Sequence, residues 1–190
     1  MEHNQNNFRA EYTVTPYTLA LLPVQDGSKV YSRIIELEGE FICPLKPTDI
    51  IKKSCEYLGV SYEGRRSGTK KITGFTHKAP ITIDPSGSLF FFPTASPLRP
   101  QCIWLAHDHI LSSTRLDSKQ TTVVLRNKQS IVVNMSISSF KTQLHRTAFL
   151  KTKLLPRLEE IQRMLQDLAN QLDWAQTAEV PSKYTLLRRI

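Results

Sequence analysis

His107 and His109 flank Asp108, and on an extended strand residues two apart point the same way, so the two imidazoles could hold one metal ion. Cys102 would complete a ligand set for a metal-dependent enzyme. Against this, a regular strand puts Cys102 and Trp104 on the face opposite His107, and no acidic cluster stands by to supply a hydrolytic water. Cys43, Cys55 and Cys102 are an odd set without CxxC spacing, which suggests neither a disulfide framework nor a zinc knuckle. No spacing supports a nucleophilic couple of one of them with His77 or His145. Buried, reduced thiols are the better reading. Gly64 to Thr69 looks like a phosphate cradle but fits neither GxxxxGK(S/T) nor GxGxxG. Its paired Arg65 and Arg66, on a loop made pliable by Gly64 and Gly68, could instead contact DNA phosphates or enter a minor groove. A solvated loop is the plain alternative.

Charge favours the polyanion. The 190 residues carry 25 Lys plus Arg against 17 Asp plus Glu, a net +8. A basic module that binds an acidic protein is a further alternative. The first forty residues are mildly acidic. Lys46, Lys52, Lys53, Arg65, Arg66, Lys70, Lys71 and Lys78 then face only Asp49, Glu56 and Glu63, and Lys141, Arg146, Lys151, Lys153 and Arg157 meet no acid at all. The excess is therefore gathered in two patches. No apolar run approaches the roughly 20 residues that span a bilayer, and Met1 to Arg9 has no secretory pattern, so the chain is expected in the cytoplasm. No zinc-finger or RRM signature is present.

The elements that must position these residues begin with β-branched and aromatic runs. Glu11 to Leu22 reads as a strand interrupted at Pro16 and closed by Pro23, and a turn at Gln25 to Ser28 leads into extended segments at 30–37 and 40–45. Thr48 or Asp49 can cap a short helix whose Ile50, Ile51, Cys55 and Leu58 share a face, with Gly59 ending it. Residues 61–69 read as a charged loop, and 70–75, 81–84 and 88–92 as short strands around a turn at Asp84 to Gly87. Pro93, Pro97 and Pro100 mark an irregular connection. Gln101 to Leu111 alternates between two apolar faces and reads as a central strand. Thr121 to Arg126 and Ser130 to Met135 flank Asn127 to Gln129 as a hairpin. The period then changes to 3.6, which predicts a helix over 138–155. Pro156 is expected to begin a second helix, in which Leu158, Ile161, Leu165, Leu168 and Leu172 form an apolar stripe that either closes the core or pairs two copies.

Ser61 to Thr69, His77-Lys78, Pro80-Ile81, Asp84 to Ser86, Phe92 to Thr94 and Arg99 to Cys102, followed by Trp104, His107, His109, Ser139-Phe140, Gln143 and Arg146 to Lys153, strongly resemble the ComK family of competence transcription factors. The likeness covers about residues 12–154 and fades beyond Pro156. It implies an activator, not an enzyme, with no cofactor. It further implies dimers that bind paired A·T-rich promoter boxes from the minor-groove side, autoregulation, action with RNA polymerase, and delivery by an adaptor to a Clp protease.

The expected fold is α+β: short antiparallel strands forming a sheet, followed by C-terminal helices. Residues 1–10 are expected to be a flexible terminus, 11–155 the DNA-binding domain, 156–176 an amphipathic helix and 177–190 a basic tail. The family pattern assigns no DNA contact. Charge and loop chemistry alone point to Arg65, Arg66, Lys70, Lys71, Lys78, Lys141, Arg146, Lys151 and Lys153.

Overall fold

The computed structural model describes residues 7–84 and 86–178. The expected tail at 177–190 lies outside them from residue 179, and so do residues 1–6 of the expected flexible terminus. Of the rest of that terminus, Phe8 bridges to Ile42 and the Arg9 guanidinium lies 3.6 Å from the centre of the Phe41 ring.

The first strands follow from their β-rich composition. β1 (Thr18–Asp26), β2 (Lys29–Glu36) and β3 (Glu40–Cys43) form an antiparallel meander. β1 runs through Pro23 instead of ending there, and the turn at Gly27 takes φ +57°, a value glycine adopts without strain. α1 (Pro47–Tyr57) and α2 (Tyr62–Thr73) follow, then β4 (Ile81–Thr82), β5 (Phe90–Pro93) and β6 (Trp104–Ala106). These strands make one six-stranded antiparallel sheet in the order β3-β2-β1-β6-β5-β4, so β6 is central, as its two apolar faces required. β7 (Ile110–Arg115), β8 (Thr121–Leu125) and β9 (Ser130–Val133) form a second sheet, with the expected hairpin between β8 and β9. α3 (Ile137–Ala178) completes an α+β fold.

Alternation along the large sheet divides the core. Leu21, Ile34, Phe91 and Trp104 pack with Ile50, Ile51 and Cys55 of α1 and Tyr62 of α2. Leu19, Ile35, Phe92 and Leu105 pack with Val123, Leu125, Ile131 and Val133 of the small sheet and Phe140 of α3. Cys43, Cys55 and Cys102 are all buried free thiols; burial pushes Cys55 and Cys102 up to about 11 and raises Cys43 as well.

Three expectations are corrected. Tyr62–Thr73 is a helix, not a loop leading into a strand: the Ser61 hydroxyl caps it by accepting the Gly64 N–H at 2.9 Å, and Gly74 ends it in the left-handed conformation at φ 78°. At α1 the cap residue is Lys46, with Pro47 in the first turn, because the Thr48 hydroxyl is committed elsewhere: it donates to the Pro97 carbonyl and accepts the Trp104 indole N–H, both at 3.0 Å. Pro156 does not start a new helix but lies inside α3. An interior proline removes one helical hydrogen bond and crowds the preceding turn. The described chain divides into two units, with the boundary between Leu154 and Leu155, just before this proline. Within the second unit Ile161, Leu165, Leu168 and Leu172 are each more than half exposed.

Asp84 holds the turn before β5. Its carboxylate is buried and accepts the Leu89 N–H at 2.6 Å, the Ser88 N–H at 3.0 Å and the Ser88 and Ser86 hydroxyls. Burial pushes this carboxyl up, and the donated hydrogen bonds together outweigh that, so it titrates below the usual range. A group depressed on folding stabilises the protein above its unfolded pKa of about 3.9 and loses that contribution as pH falls through the folded value. The expected result is that Asp84→Asn costs about 2 kcal/mol at pH 7, and that this difference shrinks below about pH 4. Urea midpoints at the two pH values check it; a difference constant with pH would refute the role.

Candidate nucleic-acid interface

The sequence-selected cations fall into three settings. The first gathers around two rings. Phe75, just past the end of α2, meets Phe149 of α3 with ring centres 5.9 Å apart, and Phe149 remains 43% exposed. The Arg146 guanidinium lies 4.9 Å from the Phe75 ring centre, and the Lys153 ammonium 5.4 Å from that of Phe149. Backbone bonds hold the parts together: Arg146 donates to the His77 carbonyl at 3.2 Å, and the buried Gln143 amide donates to the carbonyls of Lys78 and Pro93 at 3.0 and 2.8 Å. Lys70 and Lys71 occupy the last turn of α2, where they suit its negative end, and are exposed. Lys78 is exposed too, at φ +47°, a strained conformation for a side-chain-bearing residue.

The second setting is internal. Arg65 is half-buried and donates to the Ile83 carbonyl at 3.3 Å, while its Nε is buried without a partner. Lys151 donates to both Asp108 oxygens, at 2.5 and 2.7 Å, with its ammonium 5.3 Å from the Phe90 ring centre. The hydrogen bond from His107, and the Lys151 charge beyond the opposing effect of burial, hold Asp108 well below the usual carboxylate range. The third is open surface: Arg66 is exposed beside the Tyr62 ring, and Lys141 is exposed on α3. At 100° per residue, Lys141 lies about 140° around the helix from Arg146, and Lys151 stands on the opposite flank of the buried Phe140-Thr147 stripe from Arg146 and Lys153. The basic run of α3 is thus not one face.

The alternative metal set is dispersed. Cys102 is buried with its thiol directed to the Ala95 carbonyl, His107 pairs with Asp108, and His109 donates from Nε2 to the Pro16 carbonyl at 2.8 Å. Residues 107–109 form one 3-10 turn between β6 and β7, not a strand, so the same-face spacing does not arise. Among the described residues no three His, Cys, Asp or Glu side chains converge on a metal position. Sequence reasoning named Gln143 and Phe149 only within the family resemblance and gave neither them nor Phe75 a place beside the cations; the signal for Gln143 was a polar residue in line with the buried Phe140-Thr147 stripe.

Known proteins bear on this surface. The ComK protein family model matches residues 9–159. The competence transcription factor of Bacillus subtilis (strain 168) is 39% identical over 148 residues, which is 78% of this chain and 77% of that protein. No solved structure matches the chain. The matched span holds both sheets, α1, α2 and every cation discussed above, and on this ground the chain belongs to the ComK family.

Proposed function

We propose that this protein is a competence transcriptional activator that binds A·T-rich promoter DNA from the minor-groove side. The observation that supports the reading is the Phe75-Phe149 pair, where the segment after α2 meets α3, flanked by Arg146 and Lys153, with Lys70, Lys71 and Lys78 exposed at the end of α2 and just beyond it. Cations of this kind neutralise phosphates, release counterions and set the register of a protein on the duplex. Arg66 is the groove reader in this proposal, since the guanidinium of Arg65 is already engaged with the Ile83 carbonyl. Lys141 adds a phosphate contact at the margin. Lys151 is balanced by Asp108 and contributes least to the duplex.

Minor-groove edges distinguish A·T from G·C but little else, so groove width and flexibility supply the rest of the selectivity. Two boxes call for two copies, and the exposed Ile161-Leu172 stripe supports pairing between chains. Autoregulation, contact with RNA polymerase, adaptor-delivered Clp proteolysis and cytoplasmic action complete the proposal; among the described residues no helix is long and apolar enough to cross a membrane.

The test is competition between a duplex with two A·T-rich boxes and one with those boxes changed to G·C, titrated over salt. The expected result is strong preference for the first, abolished by a minor-groove ligand and compressed in Arg66→Ala. Equal, weak binding to both duplexes would sink the reading.

A further inference from the structure

A cleft of about 660 Å³ lies between the start of α1, the start of α2, the 76–78 segment and the proline-rich 96–102 connection. Its walls carry five cations: Lys46, Lys52, Arg66, Lys78 and Arg99. Three of these, Lys46, Lys52 and Arg99, belong to no part of the duplex surface described above. Only Asp49 and Glu63 oppose them, and none of the five makes a salt bridge among the described residues. Like charges gathered at one concavity repel each other, a cost that an anion between them would remove.

Other features of the wall favour the same occupant. α1 begins here with no side-chain cap, so the positive end of its dipole is open towards the cleft residues Pro47 and Thr48. Tyr62, 4% exposed, is a wall residue whose buried hydroxyl has no hydrogen-bond partner. Lys78 is carried into the wall on its left-handed backbone, and strain of this kind concentrates at ligand clamps. Pro97, Leu98 and Pro100 supply an apolar lip, with Leu98 94% exposed.

We infer that this cleft binds a phosphorylated small molecule of the nucleoside di- or triphosphate class. Its volume is that of a small-molecule site. A duplex presents its phosphates on a convex surface, so it would insert a single diester and leave most of the cleft unfilled. A polyphosphate chain can bridge several of the cations at once, while its organic part covers the Pro97-Pro100 lip. The surplus of cations over carboxylates matches the charge of such a chain. The cleft shares Arg66 and Lys78 with the proposed duplex surface, but the inference stands on Lys46, Lys52 and Arg99, which that reading does not use, and so holds whether or not that reading does.

Adenosine triphosphate and inorganic pyrophosphate, each titrated calorimetrically into the full chain at low salt, test it, with adenosine as the uncharged control. The expected result is saturable binding of both anions and none of adenosine, weakened about tenfold or more in Lys46→Ala and in Arg99→Ala, whose thermal melting and affinity for the A·T duplex stay unchanged. No saturable binding of either anion, or binding indifferent to both substitutions, would overturn the inference. Loss of duplex affinity in these variants without any small-anion binding would also overturn it, by assigning the cleft to a backbone phosphate.

Discussion

The triple variant Lys70→Ala, Lys71→Ala, Lys153→Ala is expected to bind an A·T-rich duplex about a hundredfold more weakly at about 0.15 M salt, with the slope of log affinity against log salt reduced by nearly three. Each lysine is exposed and makes no salt bridge among the described residues, so removing each ammonium from its phosphate lowers the slope by about 0.9. At about 0.15 M the forgone counterion release amounts to roughly fivefold per lysine, and three multiply to the stated factor. In the proposed mode these cations touch phosphates and not bases, so binding to A·T and G·C duplexes should weaken in equal proportion. Lys151→Ala is the control: its ammonium is already held by Asp108, and the slope should stay where it was. Fluorescence anisotropy across a salt series reads both. A slope indifferent to the triple substitution would move the duplex to another surface, and a drop for Lys151→Ala would mean that Asp108 releases its partner on binding.

Trp104→Ala should cost about 4 kcal/mol of stability. The indole is fully buried on the central strand, meets Tyr62 edge-on at 6.1 Å between ring centres, and donates to Thr48. Truncation therefore opens a cavity under both α1 and α2 and leaves the Thr48 hydroxyl without its donor. Both helices carry cations of the sites described, so partial unfolding should reduce duplex binding as well. Trp104→Phe separates the contributions, keeping most of the volume but losing the N–H, for about 1–2 kcal/mol. Urea midpoints give both values, and a phenylalanine variant as damaged as the alanine one would show that the hydrogen bond dominates.

Part of the sheet was legible in the sequence: the β8-β9 hairpin and the two faces of β6 needed nothing remote, whereas the expected strand over 11–22 begins only at Thr18, 70–73 is helix, and the single strand expected over 101–111 is broken by the 107–109 turn into β6 and β7. α2 was not legible. Only Tyr62 and Thr69 of it are buried, so it has no apolar stripe, and its two glycines read as loop. The signals that could have found it were Ser61 at the start and Gly74 at the end. Gly64 itself is a consequence of the cap, since a Cβ there would meet the Ser61 hydroxyl at 2.9 Å. The basic patches were legible as composition but not as surface. Which cation is spent internally depends on partners far along the chain: Asp108 lies 43 residues from Lys151, and the Ile83 carbonyl 18 from Arg65. The continuous α3 departs from an ordinary rule for proline, which its local sequence could not reveal.

The three cysteines of the chain are all enclosed, and at neutral pH their thiols stay protonated and out of reach of alkylating reagents. A cysteine placed at an exposed position away from the proposed duplex surface, such as Ser118, would then be the single reactive thiol on the folded protein. Maleimide dyes or spin labels could be attached there without first stripping the native cysteines from the core. Distances from that label to a labelled duplex would map the docked orientation on an otherwise unaltered protein.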